Sequence, residues 1–222
     1  VAEEARHVPL VLALTLSTGA VDAVSYSSLD HVFTANMSGN LALLGIGVVH
    51  GGAVVAGNAF ACSGFVVGSI AVGRFLRTRR RPAGSMLVRG LVLELALLVP
   101  LVATLALIDV SRHDAWRLAV CFLLAAAMGV QTGLARLVAV RDVNTTVATM
   151  TLHDLAASSR LAGGDAARWR RRTVVVLALG VGAALGAVLD DEVRWAGLGA
   201  ASAIVAAVAI AAGAAERRAG DR

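Results

Sequence analysis

Two short polar runs interrupt an otherwise apolar sequence. They are Phe33-Thr34-Ala35-Asn36-Met37-Ser38-Gly39-Asn40 and, about half the chain later, Asn144-Thr145-Thr146-Val147-Ala148-Thr149-Met150-Thr151. Asn, Ser and Thr oxygens accept the free N–H groups that open a helix, and a helix N-terminus carries partial positive charge. Two such termini aimed at one point suit an anion or the negative end of a solute. Each run follows an apolar segment with one conspicuous polar residue, Asp22 in the first case and Gln131 in the second. Asp22 suits a bound cation, a coupling proton or a hydrogen bond to broken backbone. Glu94 is a second proton-coupling candidate, with Asp22 or Arg89 as its expected partner. An acid at the centre of a membrane helix costs about 2.5–3.5 kcal/mol on insertion scales, so such residues face the bundle interior or a water path. The candidate substrate-binding set is Asp22, Asn36, Ser38, Gly39, Asn40, Gln131, Asn144, Thr145, Thr146, Thr149 and Thr151. Within it Asn36, Ser38, Thr149 and Thr151 are expected caps, Thr151-x-x-Asp154 fits a capping box, and Gly39 permits close approach. The plainer alternative is that these residues cap two broken helices and bind nothing.

The elements that must position them are membrane helices. The 222 residues are 58% hydrophobic, with mean hydropathy +0.77, and the apolar runs are long enough for a hydrocarbon core of roughly 30 Å. Full spans are predicted near 8–28, 53–75, 86–109, 115–137, 173–190 and 194–215. The first is not read as a cleaved signal, because it contains Asp22 and Tyr26. All 20 basic residues are arginine. Six spans, with both polar runs entering without crossing, leave only Arg112, Arg117 and Arg194 outside and put both termini in the cytoplasm. A seven-span alternative has residues 33–50 cross and the N-terminus outside.

Residues 19–44 and 129–155 align as a repeat, and three spans per half invert the second half relative to the first. The fold class is therefore all-α: a polytopic membrane helix bundle of six spans plus two half-helices, near 38–49 and 151–160. It forms one transmembrane domain over 1–222, with an inverted 3+3 repeat of about 8–110 and 115–215. Gly64-x-x-x-Gly68 and Gly182-x-x-x-Gly186 are close-packing signatures, candidate faces for homo-oligomerisation as well as for packing within the chain.

Several chemistries are disfavoured. Cys62 and Cys121 fall inside spans, and the five His show no metal-ligand spacing, so neither metal nor cofactor is expected. The arginine clusters lack the aromatic interleaving of a nucleic-acid surface. Cys62-Ser63-Gly64 has no His in a span to serve as base, and Gly163-Gly164-Asp165 sits in a charged loop, so an enzyme is not expected. Arg136 and Arg141 read as orientation anchors, and Asn58 as a single interhelical hydrogen bond.

Gly19-Ala20-Val21-Asp22-Ala23, Val32-Phe33-Thr34-Ala35-Asn36-Met37-Ser38-Gly39-Asn40, Ala127-Met128-Gly129-Val130-Gln131 and Thr145-Thr146-Val147-Ala148-Thr149-Met150-Thr151 together resemble the YoaK-like family of bacterial integral membrane proteins. The resemblance spans most of the chain and implies a six-span inner-membrane protein, with no substrate attached. The chain departs from the family pattern at Met150, where a Gly in a Thr-Gly-Thr run is typical, which weakens the second half of the proposed site if Gly serves ligand approach. With no P-loop present, the expected function is secondary transport of a small solute or ion across the inner membrane, with the lipid bilayer as surroundings and proton coupling through Asp22. A non-transporting structural or regulatory protein, or a channel, is the alternative.

Overall fold

Backbone that crosses hydrocarbon must satisfy its own N–H and C=O groups, which leaves helices for the long apolar runs of this sequence. The computed structural model describes residues 2–50, 54–78, 83–138, 148–164 and 169–220. It contains α1 (Ala2–Ser28), α2 (Met37–His50), α3 (Val54–Thr78), α4 (Ala83–Leu107), α5 (Asp114–Val138), α6 (Ala148–Ala157), α7 (Trp169–Glu192) and α8 (Ala196–Gly220), with no strand among the described residues. Six of these helices carry apolar stretches long enough to cross a membrane: His7–Ser28, Val55–Arg77, Gly84–Leu107, Asp114–Leu137, Trp169–Glu192 and Ala196–Arg218. They match the predicted spans to within a few residues. The 14 residues of α2 and 10 of α6 reach about 21 and 15 Å, well short of a crossing. The seven-span alternative is thereby set aside.

Glycine decides how the long helices meet. On α3, a Cβ at Gly64 or Gly68 would overlap the carbonyl of Phe122 or Ala126 on α5, and one at Gly129 of α5 would overlap the carbonyl of Phe65. On α7, Gly182 and Gly186 lie in the same way against Leu16 and Ala20 of α1, and Gly19 of α1 against Leu179. Both Gly-x-x-x-Gly stripes are thus packed within the chain. The registers advance together, so α1 runs parallel to α7 and α3 parallel to α5. Gly84 meets Glu216, and Gly199 meets Val102, so α4 and α8 are antiparallel. Gly90 packs on Leu134, while Gln131 bonds to Glu94, so α4 and α5 are antiparallel too.

Three helices therefore run each way. Arg74 and Arg77 of α3, Arg136 of α5, Arg170, Arg171 and Arg172 of α7, and Arg217 and Arg218 of α8 gather at one end. The three arginines expected at the other end are each met by an acid. Arg112 pairs with Asp109 at 3.0 Å, Arg194 with Asp109 at 2.5 Å, and Arg117 with Asp114 at 2.8 Å and Asp30 at 3.4 Å. α5 is the central helix, with 72% of its span buried against 22% for α7. The core around it comes from Val21, Val24, Leu91, Leu98, Leu124, Met128, Leu198 and Val205.

Neighbouring glycines on α7 test the packing. Nothing lies within 4 Å of a Cβ at Gly180, whereas one at Gly182 meets the Leu16 backbone. Gly182→Ala is expected to lower thermal stability in detergent by about 1–3 kcal/mol, the usual overpacking cost. Gly180→Ala is expected to be neutral or slightly stabilising, since alanine is the better helix former.

Candidate functional site

The two parallel pairs, α1/α7 and α3/α5, face one another across a cavity of about 1220 Å³. α1 contributes Thr18, Gly19 and Asp22; α3 Phe65, Ser69, Val72, Gly73 and Leu76; α5 Thr132, Gly133, Arg136 and Leu137; α7 Leu179 and Ala183. The remaining wall is made by the starts of both short helices. Phe33, Ala35, Asn36, Met37 and Ser38 stand at the α2 end, with Thr149 and Met150 at the α6 end. Apolar side chains dominate, with a few polar groups converging among them, which is the usual make-up of a small-molecule site.

Asp22 creates the α2 end. After Ser28 the chain passes through two non-glycine residues in the left-handed region, Asp30 (φ 63°) and His31 (φ 61°), and turns back along α1. Asp22 Oδ1 accepts the backbone N–H groups of Thr34 at 2.9 Å and Ala35 at 2.7 Å, with the Thr34 hydroxyl at 3.5 Å. Asp22 lies six residues before the end of α1, so the loop is drawn about 9 Å down the helix. Asn40 then clips the loop from the other side. Its Oδ1 accepts the Phe33 N–H at 2.9 Å, and its Nδ2 donates to the Phe33 carbonyl at 2.5 Å. Asn36 is the N-cap, its Oδ1 accepting Gly39 N–H at 3.4 Å and the Ser38 hydroxyl at 2.9 Å. Phe33 also stacks on Tyr26, with ring centroids 4.9 Å apart.

The candidate residues separate into two groups. Asp22, Asn36, Ser38 and Thr149 come together on the cavity wall, and Gly39, Asn40, Gln131 and Thr151 are not part of it. A Cβ at Gly39 would sit 3.1 Å from the Phe33 ring, so its close approach is to a side chain of the loop. Asn40 is fully buried and spent on Phe33. Ser38 supports the cap rather than forming it. α6 starts at Ala148, three residues earlier than predicted, so Thr149 and Thr151 belong to its first turn instead of capping it. Asn144, Thr145 and Thr146 lie outside the described residues.

Asp154 does not close a capping box. Its Oδ2 stands 3.5 Å from Arg172 Nη2, while Arg172 Nη1 donates to the Asp154 carbonyl at 2.9 Å and to Ser158 Oγ at 2.7 Å. Arg172 thus fastens α6 to α7. In sequence it looks like one more orientation arginine, distinguished only by an acid and a serine 18 and 14 residues upstream. Arg136, expected as an anchor, reaches the cavity wall.

Glu94 pairs with neither Asp22 nor Arg89. Gln131 Nε2 donates to Glu94 Oε1 at 2.8 Å, and the Thr18 hydroxyl donates to Gln131 Oε1 at 2.7 Å. All three are buried. Thr18 was missed by the sequence reading, because a threonine inside an apolar helix ordinarily bonds the preceding turn.

Comparison with known proteins places the sequence. The family model described as "Protein of unknown function (DUF1275)" matches residues 10–211. The UPF0700 transmembrane protein YoaK of Bacillus subtilis (strain 168) is 32% identical over 152 residues, which cover 66% of this chain and 64% of that protein. The match therefore spans just under two thirds of the relative's length. No solved structure matches.

Removing the Asp22 side chain strands two backbone donors, at about 1–3 kcal/mol each. Asp22→Ala is expected to lower the melting temperature and speed amide exchange at residues 33–36. Asp22→Asn, which keeps an acceptor oxygen, is expected to do so much less. Arg172→Met is expected to speed amide exchange in α6 while leaving α2 unchanged.

Proposed function

The chain belongs to the DUF1275 family of multi-pass membrane proteins, and we propose that it is a secondary transporter of a small polar solute or ion. The observation that carries this reading is that both short helices begin at one cavity between the two glycine-packed pairs. A solute there meets Asp22, Asn36, Ser38, Thr149 and Arg136 within apolar walls, with a helix N-terminus on each side. Moving one packed pair against the other would expose the cavity to one face and then the other. The contact pattern supports an inverted repeat. The first span of each half packs on the second span of the other half, the two third spans pack together, and each short helix leans on the span that follows it. In this reading the arginine-rich end faces the cytoplasm of a bacterial inner membrane, both termini lie on that side, and the protein is not an enzyme.

Three measurements test it. Single cysteines at His50 and Arg77 are expected to label from opposite faces, Arg77 from the cytoplasm. A thermal-shift panel of metabolites and ions is expected to contain one that stabilises the protein, by about 2.7 kcal/mol at a hundredfold excess over Kd. The same compound is expected to move into vesicles reconstituted with the protein, and both effects are expected to be lost in Thr149→Trp, whose indole fills the α6 end of the cavity. Correctly oriented protein that moves nothing, yet assembles with a specific partner, would establish the non-transporting alternative.

A further inference from the structure

The hydrogen-bond chain behind the cavity has one unfinished end. Glu94 is completely buried, and its Oε2 has no hydrogen-bond partner among the described residues. Its other oxygen is held by Gln131, which in turn accepts Thr18. Thr18 lines the cavity, four residues before Asp22 on α1, so the chain runs from the solute site to a carboxyl group in the core. It also joins the two packed pairs, since Thr18 belongs to α1/α7 and Gln131 to α3/α5.

The groups facing Glu94 are neutral. α5 presents Gln131, and α1 presents Thr18 through it. Asp22 is turned to the 34–35 backbone. Arg89 on its own helix is exposed, and Glu216, Arg217 and Arg218 of α8 stand at the arginine-rich end beside Gly84. A bare carboxylate in such surroundings costs several kcal/mol, whereas a neutral acid costs what an unmade hydrogen bond does.

We propose that Glu94 is a proton-binding site and that the Thr18–Gln131–Glu94 chain makes its occupancy a latch between α1/α7 and α3/α5. This rests on the transporter reading and assigns its coupling group to Glu94 in place of Asp22. With Glu94 protonated, one N–H of Gln131 satisfies Oε1, and the amide oxygen of Gln131 holds Thr18. When water admitted past Thr18 takes the proton from Oε2, the carboxylate needs donors on both oxygens. The Gln131 NH₂ group has two, and turning to supply them withdraws its oxygen from Thr18. The Thr18 hydroxyl loses nothing, because the Leu14 carbonyl already lies 2.8 Å away. The hydrogen bond between the two pairs is thereby made in the protonated state and released in the ionised one, and water admitted past Thr18 completes the carboxylate's shell. Uptake of a proton from water reverses each step.

The test needs no solute, so its outcome is separate from that of the flux measurement. Infrared difference spectra of the reconstituted protein are expected to show the carbonyl stretch of a neutral carboxylic acid that is lost in Glu94→Gln and kept in Asp22→Asn. Spin labels on cysteines at Arg77 of α3 and Arg170 of α7, with Cys62→Ala and Cys121→Ala, are expected to report a distance that changes between acidic and alkaline buffer. That change is expected to disappear in Glu94→Gln, which fixes the neutral form, and in Gln131→Met, which cuts the chain but keeps the Glu94 carbonyl band. A band that survives Glu94→Gln, or a distance indifferent to pH in the unmodified chain, or one still responsive in either variant, would overturn the proposal. The infrared measurement on the unmodified chain and on Gln131→Met stands even if Glu94→Gln does not fold.

Discussion

Lipid tails are as apolar as the side chains that face them, so burying leucine does little to draw one membrane helix onto another. What brings helices together here is direct backbone contact, and it is available only where Cβ atoms are missing. Gly19, Gly182 and Gly186 let α1 and α7 touch main chain to main chain, and Gly64, Gly68 and Gly129 do the same for α3 and α5. Everything else is arranged around these two contacts. The pairs are too closely joined to admit anything between their own members, so the open volume lies between one pair and the other. The short helices then have only that volume to point into.

Polar groups act on this scaffold as individual fasteners. Asp22 and Asn40 grip opposite sides of one loop, and Arg172 ties down α6. Each uses a side chain to satisfy groups that water would satisfy in a soluble protein, as hydrocarbon demands. The two short helices are held by different means: α2 through the loop before it, and α6 through Asp154 and Ser158 near its C-terminal end. The cavity they share is therefore unevenly polar, with the acid Asp22 set against backbone and the cation Arg136 elsewhere on its wall.

The spans, their number and the gathering of arginines at one end were legible because apolar length and charge placement are properties of the sequence itself. The shortness of α2 and α6 followed from the same bookkeeping. Side-chain direction was not legible. Asn40 and Gln131 look like ligands in a linear reading, since both are polar and sit beside the motifs, yet each spends its amide on a partner inside the protein. Gln131 meets Glu94 across 37 residues of sequence and Thr18 across 113, separations at which spacing carries no signal. The departure of Met150 from the family pattern was visible at once, and that residue lines the cavity wall. Arg172 was hidden in a cluster whose simplest explanation, orientation, was sufficient.

The exchange of partners between halves bears on how the protein is made. Leu16 of α1 finds its glycine contact in Gly182, 166 residues later in the chain. At about 5–20 residues per second of synthesis, α1 waits roughly ten to thirty seconds for α7. Through that interval the backbone at Leu16, Gly19 and Ala20, which α7 covers in the finished fold, has no native neighbour. Neither half can complete its own packing, so folding is set by the last helices to arrive.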